Sequence, residues 1–201
     1  MPDYKPTTDE IKQLRAMTGA GMLDCKNAIC QFCGDVEKAK EELRKKGLAI
    51  VSKKAERGAK DGLILSYIHH NNKTGVLVEV NCETDFVART GDFRKLVEEV
   101  AMHIAAKPGT LCVGKDDVPP EELEKEKDIY REQAAGSGKP PAIVEKIVEG
   151  KLKKFYSEVC VLNQPWVKDD SKTIQDLIND VIAKVGENIV LRRFCRFQIG
   201  E

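Results

Sequence analysis

Cys25, Cys30 and Cys33, with Cys82 further on, have the ligand spacing of plant-type two-iron ferredoxins. Ferredoxin ligands sit on a loop wrapped around the cluster. Here the three close cysteines fall on a segment that reads as helix, where 100° per residue spreads them over roughly 140° of arc. A zinc site on Cys30 and Cys33 lacks the second ligand pair that a structural site uses. The expected role is that of small helix residues, with no metal. The run Gly136, Ser137, Gly138, Lys139 resembles a phosphate loop. However, Pro140 follows the lysine where Ser or Thr is needed, Gln133 stands at the place of the first glycine, and no strand precedes it. A turn is expected there. Gly19 and Gly21 do not extend to the three-glycine dinucleotide pattern. The chain is therefore expected to have no nucleotide pocket and no cofactor of its own.

His69 and His70 end a strand-like run beside a turn, and His103 completes the histidines. Neighbours on a strand face opposite ways, so the pair is not expected to chelate one metal; one of them should face solvent or a partner. Asp85 follows a strand-like run and precedes the apolar pair Phe86 and Val87. From pattern alone, Thr84 or Asp85 caps a helix and Phe86 fills the core. No catalytic dyad or triad can be assembled around Asp85, and the chain is not expected to be an enzyme.

The elements that must position these residues are set by composition and periodicity. Thirty-three basic residues balance 33 acidic ones over 201 residues, so nothing draws the chain toward nucleic acid or an anionic membrane. Charged residues at 33% and apolar residues at 41% fit a soluble, helix-rich globular chain. No apolar stretch approaches the roughly 18 residues of a spanning helix, and the start has no signal-like pattern. Seven cysteines, an odd number, fit reduced thiols. A cytoplasmic location is expected.

Thr7 and Glu10 have capping-box spacing ahead of Ile11, Leu14 and Met17, and Gly19 closes that helix. Leu23, Ala28, Ile29 and Phe32 suggest a second helix closed by Gly34. Asp35 can cap a third, with Val36, Ala39 and Leu43 on one face and Lys45 and Lys46 before a stop at Gly47. Residues 52–61 turn polar, as a linker or a solvated helix would. Leu63 to Ile68 and Val76 to Val80, separated by a turn cluster, read as an antiparallel hairpin. Asp92 can cap a helix carrying Phe93, Leu96, Val97, Val100 and Ile104. A charged helix from Pro119 and Pro120 to about Ala135 and a second from Ile143 to Val159 form a helical pair. Thr173 and Asp176 start a last helix, and after Gly186 the run Ile189 to Ile199 reads as a strand completing the sheet. The organisation expected is 1–50, 51–61 as linker, 62–118, 119–164 and 165–201.

Two stretches add a resemblance to this reading. Glu79, Val80, Asn81, Cys82, Glu83, Thr84, Asp85, Phe86, Val87, Ala88 and Arg89 are similar to a characteristic motif of the elongation factor Ts family. Leu14 to Ala28 is similar to its first motif, with Ile29 where the family usually has leucine. Family-like stretches also occur at 101–106, 138–150 and 186–193. The resemblance implies an α+β fold: an N-terminal three-helix module like a ubiquitin-associated domain, an antiparallel sheet core packed with helices, and a projecting helical hairpin. Only one core unit appears, so the chain resembles the short form, for which the resemblance implies a homodimer. Ile189 to Ile199 is the candidate pairing edge.

The function implied is release of GDP from elongation factor Tu by loss of its Mg²⁺ ion, allowing GTP to reload. The residues implied are Thr84, Asp85, Phe86 and Val87 as the dislocating segment, with Phe86 as a wedge. Met22, Leu23 and His69 are implied as further partner contacts, with His70 as the alternative to His69 one residue on. A rival reading is a binding module whose N-terminal helices recognise ubiquitin-like or other helical partners, with no exchange activity.

Overall fold

In the computed structural model, which describes residues 4–135 and 140–200, the N-terminal helices follow their sequence signals closely. The turn expected at Gly136, Ser137, Gly138 and Lys139 lies outside the described residues. α1 (Thr8–Thr18) opens on the capping box: the Glu10 amide donates to Thr7 Oγ1 at 3.2 Å, and the Thr7 amide donates to Glu10 Oε2 at 2.7 Å. Gly19 closes the helix in the left-handed region at φ 69°. α2 (Met22–Gln31) ends earlier than expected. Cys33 sits in the following turn at φ 50° rather than on the helix. Gly34 completes that turn at φ 88°, where a Cβ would lie 2.6 Å from Tyr4 Oη. α3 (Val36–Lys54) is capped by Asp35, whose Oδ1 accepts from the Lys38 amide at 3.1 Å.

α3 also departs from the expected stop at Gly47. The helix runs through that glycine, where an added Cβ would lie 3.4 Å from the Ala183 side chain, an ordinary contact distance. The glycine does not end the helix, which continues to Lys54. Leu14, Cys25, Ala28, Ile29, Ala39 and Leu43 form the buried core of the three helices, with Tyr4, Ile11, Phe32 and Val36 against it.

The remaining elements are β1 (Asp61–Ile68), β2 (Thr74–Cys82), a one-turn α4 (Asp85–Ala88), α5 (Gly91–Ala106), α6 (Pro120–Ala135), α7 (Pro141–Val159), β3 (Pro165–Trp166), β4 (Asp169–Thr173), α8 (Ile174–Val185) and β5 (Ile189–Gln198). The main sheet has the order β1-β2-β5. β2 alternates as a half-buried strand should: Val76, Val78, Val80 and Cys82 are buried and Leu77 is exposed. β5 lies antiparallel beside it, with Ile199 N–H on Lys73 O at 2.9 Å and Arg193 Nε on Glu79 Oε2 at 2.6 Å. The fold is α+β, as the sequence implied.

Two compact units emerge, one formed by Met1–Leu63, Asn81–Leu96 and Asp176–Val190, the other by Ile64–Val80, Val97–Gln175 and Leu191–Glu201. In the second unit His103 is fully buried and hydrogen bonded through Nε2 to Gln164 Oε1 at 2.8 Å; burial holds its pKa below the ordinary value. Cys112 and Cys160 face each other there with Sγ atoms 3.3 Å apart, among Leu123, Phe155, Tyr156 and Val159. β3 and β4 pair as a short antiparallel ribbon that the sequence reading did not contain. The stripe expected on α5 is buried in full, but its cap is Thr90 rather than Asp92. The Phe93 amide donates to Thr90 Oγ1 at 3.3 Å, while the Asp92 carboxylate takes Lys184 Nζ at 2.6 Å. No helix among the described residues is long and apolar enough to cross a membrane.

Candidate functional site

β2 delivers the chain into a tight turn at Glu83 and Thr84, and α4 follows as four residues of helix. So short a helix has little stability of its own. Thr84 caps it, Oγ1 accepting from the Val87 amide at 3.5 Å. Asp85, the other capping candidate, instead pairs with Arg89 at 2.8 Å one turn on. Val87 and Ala88 are buried and anchor one side of the turn. Phe86 is on the other side and is 80% exposed. The pattern-based expectation that this aromatic fills the core is therefore wrong: the buried side of the turn is taken by the two residues after it.

What holds the turn comes from far along the chain. Glu187 receives Thr84 twice, the amide on Oε2 at 3.0 Å and the hydroxyl on Oε1 at 2.7 Å. The neighbouring residues repeat the arrangement in reverse, with the Asn188 amide donating to Glu83 Oε1 at 2.7 Å. Asn188 Nδ2 then reaches the Arg57 carbonyl at 2.7 Å, and Arg57 Nη1 lies 3.4 Å from Glu83 Oε2. Below the turn, Cys82 Sγ donates to Thr84 O at 3.1 Å. Burial and the Glu187 charge push that thiol up to about 11, so it remains a protonated donor. Glu83 is held below the ordinary carboxylate range, first by the Asn188 amide it accepts and then by Arg57.

The other residues singled out by sequence occupy other surfaces. Met22 and Leu23 open the first turn of α2 and are 44% and 68% exposed. His69 is half-buried, with Nδ1 3.1 Å from Tyr67 Oη; His70 is exposed. Their rings lie 4.1 Å apart between centroids, tilted by 58°, instead of facing opposite ways, because β1 ends at Ile68 and strand alternation stops with it. Cys25 is buried and its Sγ donates to Ala20 O at 3.7 Å, Cys30 is partly buried and Cys33 is exposed. Among the described residues no group of three or more His, Cys, Asp or Glu side chains is arranged to hold a metal ion. Sequence reasoning missed Glu83, Glu187 and Asn188. The strand reading starts after Gly186, at Ile189, and no pattern in the sequence ties Glu187 and Asn188 to Thr84.

A family model described as Elongation factor TS matches residues 34–201. The chain is 58% identical to the elongation factor Ts of Fervidobacterium nodosum over 191 residues, covering 95% of this chain and 96% of that protein. It is 56% identical to the elongation factor Ts of Caldanaerobacter subterraneus, covering 95% of each chain. Against that of Moorella thermoacetica it is 56% identical, covering 96% of this chain and 94% of the other. Over that span and at those identities, the chain belongs to the elongation factor Ts family, the guanine-nucleotide exchange factors of translation elongation.

Proposed function

We propose that this chain binds elongation factor Tu in its GDP form and promotes GDP release by dislodging the bound Mg²⁺ ion, with Phe86 as the wedge and Thr84, Asp85 and Val87 as its mount. The observation that carries the reading is the exposure of Phe86. A phenylalanine left in water forgoes roughly 1.5–3 kcal/mol of burial free energy. Here the ring is exposed on a turn whose remaining residues are tied down, so the exposure belongs to the fold. Linkage supplies the thermodynamics. A factor that binds the empty GTPase more tightly than the GDP-loaded form must weaken GDP binding by the same factor. Mg²⁺ offsets the phosphate charge, so disturbing its support weakens nucleotide retention. The chain makes and breaks no bond of its own.

Met22 and Leu23 supply a second apolar contact, and His69 a third on the other unit. The balanced charge supports a protein partner rather than nucleic acid. The exposed Phe197 and Ile199 near the end of edge strand β5 support a homodimer, checked by a solution mass near twice 22.4 kDa. Within this reading residues 1–50 form the N-terminal contact module, 51–61 a linker, 62–118 and 165–201 the core, and 119–164 a projecting hairpin.

The test is stopped-flow release of labelled GDP from elongation factor Tu. Phe86→Ala is expected to fold and to slow release at least tenfold, the equivalent of about 1.4 kcal/mol in the barrier. An unchanged rate with a folded variant removes the wedge and favours a plain binding module.

A further inference from the structure

We infer that Glu187 is a positioning residue of the exchange reaction, setting the aim of Phe86 through Thr84; the inference rests on the wedge reading. A wedge must resist the load it applies, and α4, at four residues, cannot supply that stiffness from its own hydrogen bonds. Thr84 is the residue at which stiffness can be imported. Its amide and hydroxyl both point at one carboxylate, each taking a separate oxygen, at 3.0 and 2.7 Å. Two charge-assisted bonds to a planar group fix direction as well as distance. The same hydroxyl oxygen accepts from the Val87 amide, so the clamp sets the first turn of α4, and Phe86 lies inside that turn.

Three features identify this as a built device rather than a chance surface contact. The pairing is crossed: Glu187 holds Thr84 while Glu83 holds the Asn188 amide, so a slip of one segment against the other breaks both. Gly186 stands at φ 75° immediately before Glu187, and that left-handed turn ends α8 and redirects the chain toward the site. Asn188 extends the grip to the carbonyl of Arg57 just beyond α3. Glu187 touches neither nucleotide nor metal in this reading. Its contribution is the orientation of another side chain.

A positioning role makes a prediction that a merely structural one does not. In stopped-flow GDP release with elongation factor Tu, Glu187→Ala is expected to lower the rate at saturating factor at least fivefold, with the half-saturating concentration changed less than twofold. Glu187→Gln, which keeps one acceptor oxygen, should fall between it and the parent and guards against a variant that fails to fold. In a Phe86→Ala background, Glu187→Ala should cause no further loss, because a wedge that is absent cannot be misaimed. Additive losses in the double variant would overturn the inference, as would a raised half-saturating concentration with an unchanged maximal rate. A slow Phe86→Ala variant beside an unaltered Glu187→Ala would sink this inference alone. An unaltered Phe86→Ala would sink the wedge reading and this inference with it.

Discussion

Along α6 the charged residues find partners close at hand: Lys125 with Glu122, Lys127 with Glu124 and Arg131 with Asp128, each pair three residues apart on the helix. At the turn carrying Phe86 the partners are remote. Thr84 is held from Glu187 and Glu83 from Asn188, across 103 and 105 residues of chain. Local pairs of the first kind stabilise a helix by only a few tenths of a kcal/mol and are screened by salt. The second kind locks a segment to the rest of its unit, so that it opens only when much of that unit does. The α6–α7 pair buries little that is apolar, chiefly Ala134 and Val148, and adds Lys151 over the Tyr130 ring at 5.4 Å. Shape there is a local property. At the turn it is a property of the unit, because the bonds that hold it come from residues 103 and 105 positions away.

The most direct way to break that contrast is Thr84→Val, which keeps the volume but removes the hydroxyl. One Glu187 oxygen then loses its donor and the Val87 amide loses its cap. We expect a stability loss of about 1–2 kcal/mol in urea melts. GDP release should slow by an order of magnitude under the wedge reading. A variant with parental stability would mean that the clamp is ornamental and that the turn stands by itself.

Much of this was legible in the sequence. The Thr7–Glu10 box, the α5 stripe and the hairpin of β1 and β2 are local patterns, and local physics decides them. Three departures have specific causes. Gly47 reads as a stop, but the helix continues through it beside Ala183, a neighbour that no local window contains. β3 and β4 carry Pro165 and the polar run Asp169, Asp170, Ser171, Lys172, so their strand character comes from pairing rather than propensity. The Glu187 clamp joins residues 103 apart, and an acidic residue after a glycine carries no signal of what it will meet. The motif around Phe86 could be read from resemblance, whereas its outward aim follows only from Val87 and Ala88 taking the buried side.

A smaller effect tests the crossed half of the clamp through pH. Glu83 has a folded-state pKa depressed below its ordinary 4.5, chiefly by the Asn188 amide and then by Arg57. Its unfolded form binds a proton first as pH falls, so its contribution to stability is full above about 4.5 and is lost as pH drops through the folded value. Glu83→Gln should therefore melt below the parent at pH 7, and the gap should close as pH falls below about 4.5. A gap that stays constant from neutral to acid would show that the carboxylate charge is not what Asn188 reads.

The smallest effect is kinetic and compares the two regions directly through their buried thiols. Burial pushes Cys160 up to about 12, with Cys112 beside it also raised, while Cys82 under the Phe86 turn is pushed to about 11. None of the three presents a thiolate near neutral pH, so alkylation must wait for local opening. Cys33 and Cys195, both exposed, should react at once in the native protein. If the base of the α6–α7 pair opens more readily than the clamped turn, Cys112 and Cys160 should be alkylated before Cys82, although Cys160 is raised further than Cys82. Time-resolved mass spectrometry of alkylated peptides gives the order. Cys82 reacting ahead of the pair would mean that the long-range clamp yields first, and that stiffness at the Phe86 turn has another source.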